Sequence, residues 1–325
     1  MNAPIQCLSA IVPFARFFTD VDLKTAINYM NKMNSQGQLT RAFSRLVHDI
    51  WHGDMPYITP NDFRRTLCSL NAQYIGTSQH DSQEFLSFLL DSIHEDTNRI
   101  MARKPITRTP EEEERLENLP QQIAGEYEWQ VWRQSNDSII VDFFQGMFRN
   151  QLRCMKCEKA FFNVEVMEGD DAWDCPRCKT KRPATKTLSL ARLPPVLVIH
   201  LKRFEVNGRF SDKIDTFVDF PVKGLDLTEL MPPPLPVGAD QSLLNGGMVN
   251  GVMSRDDPRI QVGPYKYELY GVTNHYGNVS SGHYTAFVAS RGGWLYCDDS
   301  SVKNVDAKQV VNQKAYVLFY KRVKA

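Results

Sequence analysis

The chain has 325 residues, of which 42% are hydrophobic, and its 38 Lys and Arg balance its 38 Asp and Glu. This composition predicts one large or two modest buried cores, and a net charge of zero provides no field to attract nucleic acid. No apolar run is long enough to span a bilayer, and the N-terminal stretch lacks a basic region and a cleavage site, so no membrane insertion is expected.

The cysteine content indicates the redox compartment. Seven cysteines are present, and four of them form two C-x-x-C pairs. This usage fits a reducing compartment and a metal site better than a secreted disulfide framework. We therefore expect a cytoplasmic protein, with the nucleus as a second possibility.

The first third of the chain is predicted to be helical. From Cys7 to about Ile100, apolar residues recur three and four positions apart, as expected for amphipathic helices. Residues 101–136 are flanked by prolines and contain four consecutive glutamates. That composition is more typical of an acidic surface excursion than of a binding site.

After Ser138 the pattern changes to short strands. Four segments are short and rich in β-branched or aromatic residues, which favours strands: VLVIHLKRF, YELYGVTNH, HYTAFVAS and AYVLFYKRV. Residues 228–263 are instead rich in Pro, Gly and Asn, and too poor in apolar surface to order themselves. We expect a flexible insertion there, within a predominantly β half.

The two cysteine pairs predict a zinc site. Cys154 and Cys157 form one pair, Cys175 and Cys178 the other, and 17 residues separate the pairs. This spacing is that of a structural zinc ribbon, in which four thiolates leave no open position for water. The alternatives are four ordinary thiols or a redox pair, but a redox motif needs only one C-x-x-C. Acidic residues between the pairs argue against contact with DNA.

His283 begins one of the predicted strands, in SSGHYTAFV. An isolated histidine at such a position is more often structural than catalytic. The next strand, however, carries Asp298 and Asp299 back towards it, and a carboxylate that orients an imidazole is half of a nucleophilic triad. A two-residue turn at Gly292–Gly293 would place Asp298 opposite Phe287, about 13 Å from His283. In that register the pair forms only if the strands slip, bulge or bend.

Several blocks of the sequence resemble the ubiquitin-specific proteases, papain-like cysteine peptidases that remove ubiquitin. They are the histidine box YELYGVTNHYGNVSSGHYTAFV with WLYCDDSSV, the glutamine–glutamate box SQHDSQEFLSFLLDSIHED, the strand LARLPPVLVIHLKRF, the segment KIDTFVDFP and the two cysteine pairs. The blocks occur in the family's order from Met1 to Tyr320. The chain is identified on this basis as one ubiquitin-specific protease catalytic domain, 1–325.

The resemblance implies an α+β, papain-like hand. It assigns a helical thumb to 1–100, short zinc-ribbon fingers to 146–188 and a β palm to 189–325, with 101–136 and 228–263 as surface segments. The family usually has a longer segment between the cysteine pairs, so the reach of these fingers towards ubiquitin is expected to be reduced. A monomer is expected.

The resemblance also implies catalytic roles. A cysteine thiolate held by His283 attacks the carbonyl of ubiquitin's C-terminal glycine, and His283 then protonates the departing lysine amine. Asp298 orients His283, and Asp299 assists the oxyanion or the attacking water.

Substrate-binding roles follow in the same way. Asp81 and Glu84 pair with arginines of ubiquitin's basic tail. Phe204 and Tyr284 line a narrow channel that admits only a Gly-Gly end. The structural alternatives are that Asp81 and Glu84 cap or solubilise a helix and that Phe204 is a core residue.

The family's nucleophile lies in a Gly-Asn-Thr-Cys block, before a helix that carries Leu-Gln-Cys-Leu. This chain opens MNAPIQCLSA, which places the nucleophile two positions before Met1 and the family's oxyanion asparagine before it. We therefore expect an N-terminally incomplete domain that is inactive as it stands. The alternatives are a truncated expression product and a pseudoenzyme that binds ubiquitin or acts as a scaffold.

Other residues of the chain are poor replacements for the nucleophile. Cys7 matches a core position of the first helix, and Cys68 and Cys297 lie in other motifs. Ser281 is too close to His283 along the chain to face its imidazole. A nucleic-acid-binding zinc ribbon is the remaining functional class, and the neutral charge and the acidic ribbon disfavour it.

Overall fold

The computed structural model describes residues 1–323 except 56, 77, 103–106, 159, 162–172, 176, 183, 208–209, 234, 236, 238–260, 262 and 280. Helices fill the N-terminal half of the described chain. They are α1 Asn2–Ser9, α2 Val12–Asp20, α3 Leu23–Ala26, α4 Gln38–His52, α5 Asn61–Leu70, α6 Ser82–Thr97, α7 Pro110–Asn118, α8 Gln121–Arg133 and α9 Ile139–Phe144. None of these helices is long and apolar enough to cross a membrane.

A buried carboxylate joins the two longest helices of this half. Helix α4 begins after Gly37, which has no side chain to cap it. Asp96, fully buried in α6, accepts from the backbone N–H of Gly37 at 3.1 Å and from the hydroxyl of Thr40 at 2.7 Å. Since a helix N-terminus leaves N–H groups unpaired, this carboxylate supplies the missing acceptor.

Strands follow the helices, as the composition predicts. They are β1 Met147–Cys154, β2 Ala160–Phe161, β3 Trp173–Cys175, β4 Thr180–Arg182, β5 Ala184–Arg192, β6 Val196–His200, β7 Phe204–Asn207, β8 Phe210–Lys213, β9 Leu225–Asp226, β10 Lys266–Gly277, β11 Gly282–Ser290, β12 Gly293–Asp298, β13 Ser301–Val305 and β14 Ala315–Arg322. The large antiparallel sheet has the order β13-β12-β11-β10-β14-β6, and β9 pairs with the start of β10.

This sheet is buried on both faces, which explains why its central strands lack polar alternation. On β14, Val317 and Phe319 pack into the core shared with the helices, whereas Leu318 and Tyr320 pack into a second core on the opposite face. Helix α1 lies against β10, β11 and β12. The N-terminal end of the chain is therefore held next to the strands that carry His283 and Asp298.

The segments with unusual composition differ from one another. Within 101–136, α7 is acidic and exposed, but α8 buries Ile123 and Trp129 and packs against β1 and β5. The four cysteines lie among the short strands β1 to β5. The expected insertion at 228–263 lies largely outside the described residues, as does most of the acidic segment between the cysteine pairs.

Candidate active site

The sheet brings His283 and Asp298 into contact. His283 Nε2 lies 2.6 Å from Asp298 Oδ1, which is a short hydrogen bond. Their side chains are 47% and 39% exposed, so the pair remains open to an incoming substrate. Because Nε2 is engaged by the carboxylate, Nδ1 is the nitrogen left to exchange a proton with a reacting group.

The predicted turn of this hairpin is wrong, and the correction explains the contact. The ladder pairs Ser290 with Gly293, so the two-residue turn is Arg291–Gly292 rather than Gly292–Gly293. Both turn residues have positive φ, 48° and 81°, as the right-handed twist of a hairpin requires. The shift moves Asp298 from beside Phe287 to beside Thr285, two residues from His283. A diagonal neighbour at that distance is within reach of a carboxylate.

Asp299 and the N-terminus complete the cluster. Ligand atoms of His283, Asp298 and Asp299 all lie within 4.8 Å of one another. Asp299 adopts φ 48° in the tight turn between β12 and β13. Burial lowers the pKa of the Met1 amino group, and the nearby Asp299 charge partly opposes this. The start of α1 therefore lies beside the dyad.

Asp81 occupies the N-cap of α6. Its Oδ1 accepts from the backbone N–H groups of Gln83 at 2.7 Å and Glu84 at 3.0 Å, while its Oδ2 accepts from the hydroxyl of Tyr316. The Tyr284 hydroxyl is 3.5 Å from the same Oδ2. Glu84 is exposed on the first turn. The helix-capping alternative for Asp81 is thus realised, and this contact also joins the helical and β halves.

Phe204 and Tyr284 belong to an aromatic cluster beside the dyad. The rings of both pack against His275, with centroids 5.1 Å and 4.7 Å away, and against Tyr316. Burial lowers the pKa of His275 to about 4, with Lys213 adding to the effect. Burial and the charge of Asp81 raise the pKa of Tyr284 and, with a hydrogen bond to Asp81, that of Tyr316, so both hydroxyls stay protonated donors.

Sequence reasoning missed three contributors to this region: Tyr316, His275 and Gln79. Gln79 Oε1 accepts from the backbone N–H of Gly282, immediately before His283. A Cβ on Gly282 would lie 2.1 Å from His275 Nε2, so only glycine fits above this imidazole. Gln79 stands in the same block as Asp81, and His275 in the histidine box. Their position in those blocks was the available signal.

The second site is the cluster of cysteines. The sulfur atoms of Cys154, Cys157, Cys175 and Cys178 lie within 4.8 Å of one another, and those of Cys157 and Cys175 are 3.7 Å apart. A zinc ion with four sulfur ligands at about 2.3 Å requires sulfur separations of about 3.8 Å. The backbone N–H of Cys157 lowers the pKa of the Cys154 thiol to about 6. The residues present therefore fit a metal ion with four thiolate ligands.

A family model described as ubiquitin carboxyl-terminal hydrolase matches residues 1–320. The chain belongs to this family. Its members are cysteine-type deubiquitinases, which agrees with the resemblance of the sequence blocks.

The relatives that this chain matches are longer proteins. The chain is 35% identical over 364 residues to ubiquitin carboxyl-terminal hydrolase 4 of Saccharomyces cerevisiae (strain YJM789), covering 99% of this chain and 38% of the relative. It is 30% identical over 358 residues to ubiquitin carboxyl-terminal hydrolase 2 of Rattus norvegicus, covering 98% and 52%. The chain thus spans about two fifths to one half of these two relatives.

The fold of the chain is also found among solved structures. The SAGA Ubp8/Sgf11/Sus1/Sgf73 DUB module bound to ubiquitin aldehyde matches with a TM-score of 0.67 at 22% identity, covering 100% of this chain and 67% of that chain. At this identity the likeness concerns the fold alone. It confirms the predicted α+β ubiquitin-specific protease architecture.

The three cysteines outside the cluster lie away from Nδ1 of His283. Cys7 is fully buried in α1, where burial raises its pKa well above the ordinary value. Cys297 packs into the core shared with the helices, on the face opposite His283, and burial raises its pKa. Cys68 Sγ donates to the Tyr74 carbonyl at 3.0 Å. The prediction that Cys7 is a core residue is confirmed.

Proposed function

We propose that this domain cleaves the amide bond after the C-terminal glycine of ubiquitin by thiol catalysis. The observation that carries the proposal is the 2.6 Å bond between His283 and Asp298 at an accessible end of the sheet, where β11 begins and β12 ends, in a chain of the deubiquitinase family. An imidazole oriented by a carboxylate is the base that a thiol nucleophile needs.

The attacking thiol is proposed to act from the N-terminal end of α1, the position that the family's Gly-Asn-Thr-Cys block gives it. Helix α1 begins at Asn2 and packs against β11 and β12, the strands that carry His283 and Asp298. A thiol at a helix N-terminus has a lowered pKa and is the more reactive for it. None of the seven cysteines of this chain takes that position.

The chemistry conserves atoms and protons. His283 Nδ1 takes the thiol proton, and the sulfur forms a bond to the carbonyl carbon of the glycine. Collapse of that intermediate breaks the carbon–nitrogen bond as His283 protonates the departing lysine amine. His283 then takes a proton from water, whose oxygen attacks the thioester and releases the ubiquitin carboxylate together with the thiol. Asp298 keeps the imidazole in the productive orientation throughout.

Substrate recognition is proposed to use the surface between the two halves of the domain. Glu84 is exposed and Asp81 is partly exposed at the start of α6, where both carboxylates can pair with arginines of the ubiquitin tail. Phe204 and Tyr284 lie next to them in the aromatic cluster. Planar rings at this point leave room for glycine and exclude bulkier side chains.

Zinc at the four cysteines is proposed to be structural. Four thiolates complete a tetrahedron and leave no position for water, so the ion would stabilise the fingers and take no part in catalysis. The free thiols are consistent with a reducing compartment, the cytoplasm or the nucleus. We propose that the domain acts as a monomer towards ubiquitin.

The test uses the full-length protein and a substrate with a ubiquitin C-terminal amide. We expect His283→Ala to reduce kcat by about 10²-fold to 10⁴-fold, the usual contribution of general acid–base catalysis. The control is His52→Ala, a change at an exposed helix end that should leave kcat unchanged. A wild-type protein that folds and binds ubiquitin but cleaves nothing would establish the non-catalytic alternative.

A further inference from the structure

The strand that supports His283 is longer than one of its two neighbours. β10 pairs with β11 up to Gly277, opposite Gly282, but its pairing with β14 stops at Asn274, opposite Ala315. The last three residues of β10 therefore have a strand on one edge only. Tyr276, which pairs directly with His283, lies in this half-paired end.

The unpaired edge needs hydrogen-bond donors. The His275 N–H donates to the carbonyl of Lys314 at 2.8 Å, so His275 directs both of its backbone groups away from β11 and towards that edge. The carbonyl of Gly277, two residues further on, points the same way by the alternation of a strand. With β14 ended, no strand N–H is available for these two oxygens.

Lys213 takes the place of the missing strand. Its Nζ donates to the carbonyl of His275 at 2.8 Å and to that of Gly277 at 3.2 Å. Its side chain is only 5% exposed and its bond to the His275 carbonyl is partly buried, so water competes little for that bond, whereas the bond to Gly277 is exposed. The ammonium group of Lys213 has three N–H donors. The third faces Asp215, whose Oδ1 lies 3.6 Å from Nζ.

Asp215 is the carboxylate that faces Lys213, and the cations Lys314 and Arg203 lie in the same region. Asp215 also pairs with Lys314 at 3.3 Å, and Arg203 uses its guanidinium on the carbonyls of Ile214 and Thr216, both at 2.8 Å. Burial lowers the pKa of Lys213, and Asp215 partly offsets this. Arg203 and Asp215 thereby hold the backbone that carries Lys213 in place.

We propose that Lys213 is a positioning residue for His283, acting through the backbone of His275 and Gly277. Two connections transmit the effect: Tyr276 pairs with His283, and Gly277 pairs with Gly282. The ring of His275 also lies directly against Gly282. The position of the His275 backbone therefore fixes the position of Gly282, the residue before His283. Where activity is concerned, this inference rests on the proposed function.

The first experiment measures amide hydrogen exchange in the chain as it exists, and so does not depend on catalysis. In Lys213→Met we expect exchange at Tyr276 and His283 to accelerate by about tenfold or more, because two charge-assisted bonds are lost. Exchange at Val272 and Phe287, a pair on the same strands but beside intact β14, should not change. The matched control is Lys314→Met. It removes the other lysine that pairs with Asp215, and it leaves in place the hydrogen bonds from Lys213 to the two carbonyls.

The second experiment measures kinetics in the full-length enzyme. Lys213→Met is expected to reduce kcat by about tenfold to a hundredfold with KM changed less than about twofold, since a misplaced base slows chemistry more than binding. Lys213→Arg, which keeps a donor, should recover part of kcat, and Lys314→Met should retain it.

The outcomes separate the two proposals. Faster exchange at Tyr276 and His283 alone supports the positioning role even if the enzyme proves inactive. Unchanged exchange there in folded Lys213→Met overturns it, as does loss of protection along the whole of β10, which would make Lys213 a general folding residue.

Discussion

The dyad and the cysteine cluster are stabilised in different ways. His283 and Asp298 stand on a sheet with a hydrophobic core on each face, and strand register alone brings them together. The four cysteines lie among strands of two, three, eight and nine residues, and their buried cluster consists of the cysteines themselves. The comparison teaches that two hydrophobic cores fix the large sheet, whereas the buried cluster around the cysteines consists, in the described part of the chain, of sulfur side chains that fit the zinc ion proposed there.

The largest expected effect is that of replacing one of the four cysteines, which should disrupt the cysteine cluster and leave the large sheet intact. Cys154→Ser is expected to lower zinc from about one ion per molecule to none and to abolish amide protection in β1–β5, because structural zinc contributes about 10–16 kcal/mol to such folds. The palm should stay protected. Metal analysis and hydrogen exchange check this. Cys68→Ser, outside the cluster, should keep its zinc, and a zinc-loaded Cys154→Ser protein would contradict the assignment.

A change at the dyad should affect chemistry without affecting stability. Asp298→Asn in the full-length enzyme is expected to reduce kcat by about 10²-fold, since an amide orients the imidazole but stabilises its charged form less. Asp299→Asn should cost less than about tenfold, because His283 bonds to Asp298. Steady-state kinetics and thermal unfolding provide the measurements. A larger loss for Asp299→Asn would transfer the orienting role to that residue.

Asp81 combines a capping role with a proposed binding role, and two variants separate them. Asp81→Ala removes both, and should weaken ubiquitin binding by about 1–3 kcal/mol and helix α6 by about 1 kcal/mol. Asp81→Asn keeps an N-cap acceptor but loses the charge. Titration with ubiquitin should therefore show weakened binding for Asn, with a smaller loss in unfolding free energy than for Ala, because Asn keeps the N-cap bonds and loses only the acceptor for the Tyr316 hydroxyl. Binding equal to wild type in both variants would remove Asp81 from the binding site.

The last prediction is a pH dependence of the large sheet, which vanishes at neutral pH. The pKa of His275 is lowered to about 4 in the fold, against about 6.5 when unfolded. Between these two pH values the unfolded state therefore binds more protons than the folded state. The contribution of His275 to the free energy of unfolding is complete above pH 6.5 and is lost as the pH falls towards 4. We expect the free energy of unfolding, measured with urea, to be roughly 2 kcal/mol lower at pH 5 than at pH 7.5.

His275→Gln should lose less unfolding free energy between pH 7.5 and pH 5 than wild type does. The control is His48→Gln, at an exposed position on α4, which should behave as wild type. Equal pH dependence in wild type and His275→Gln would contradict the assignment to His275. Other groups of the chain also titrate, so the difference between variants is the relevant quantity.

The sequence by itself determined the family, the order of helices and strands and the four-cysteine site. Each rests on a local pattern: C-x-x-C turns, strands such as AYVLFYKRV, and short blocks such as HYTAFV. Hydrophobic periodicity and ligand spacing are properties of neighbouring residues, so they can be read without a fold. Residues 101–136 show the limit, because acidic composition did not reveal that Trp129 packs inside.

Only the tertiary structure decided which side chains meet. The register of β11 and β12 depended on Arg291 adopting positive φ, which its residue type does not favour but the strand pairing enforces. The roles of Tyr316, Gln79 and Lys213 likewise depend on partners far away in sequence, at Asp81, Gly282 and His275. These contacts join segments 62 to 235 residues apart. They are set by packing of the helices on the sheet and by the edge left where β14 ends.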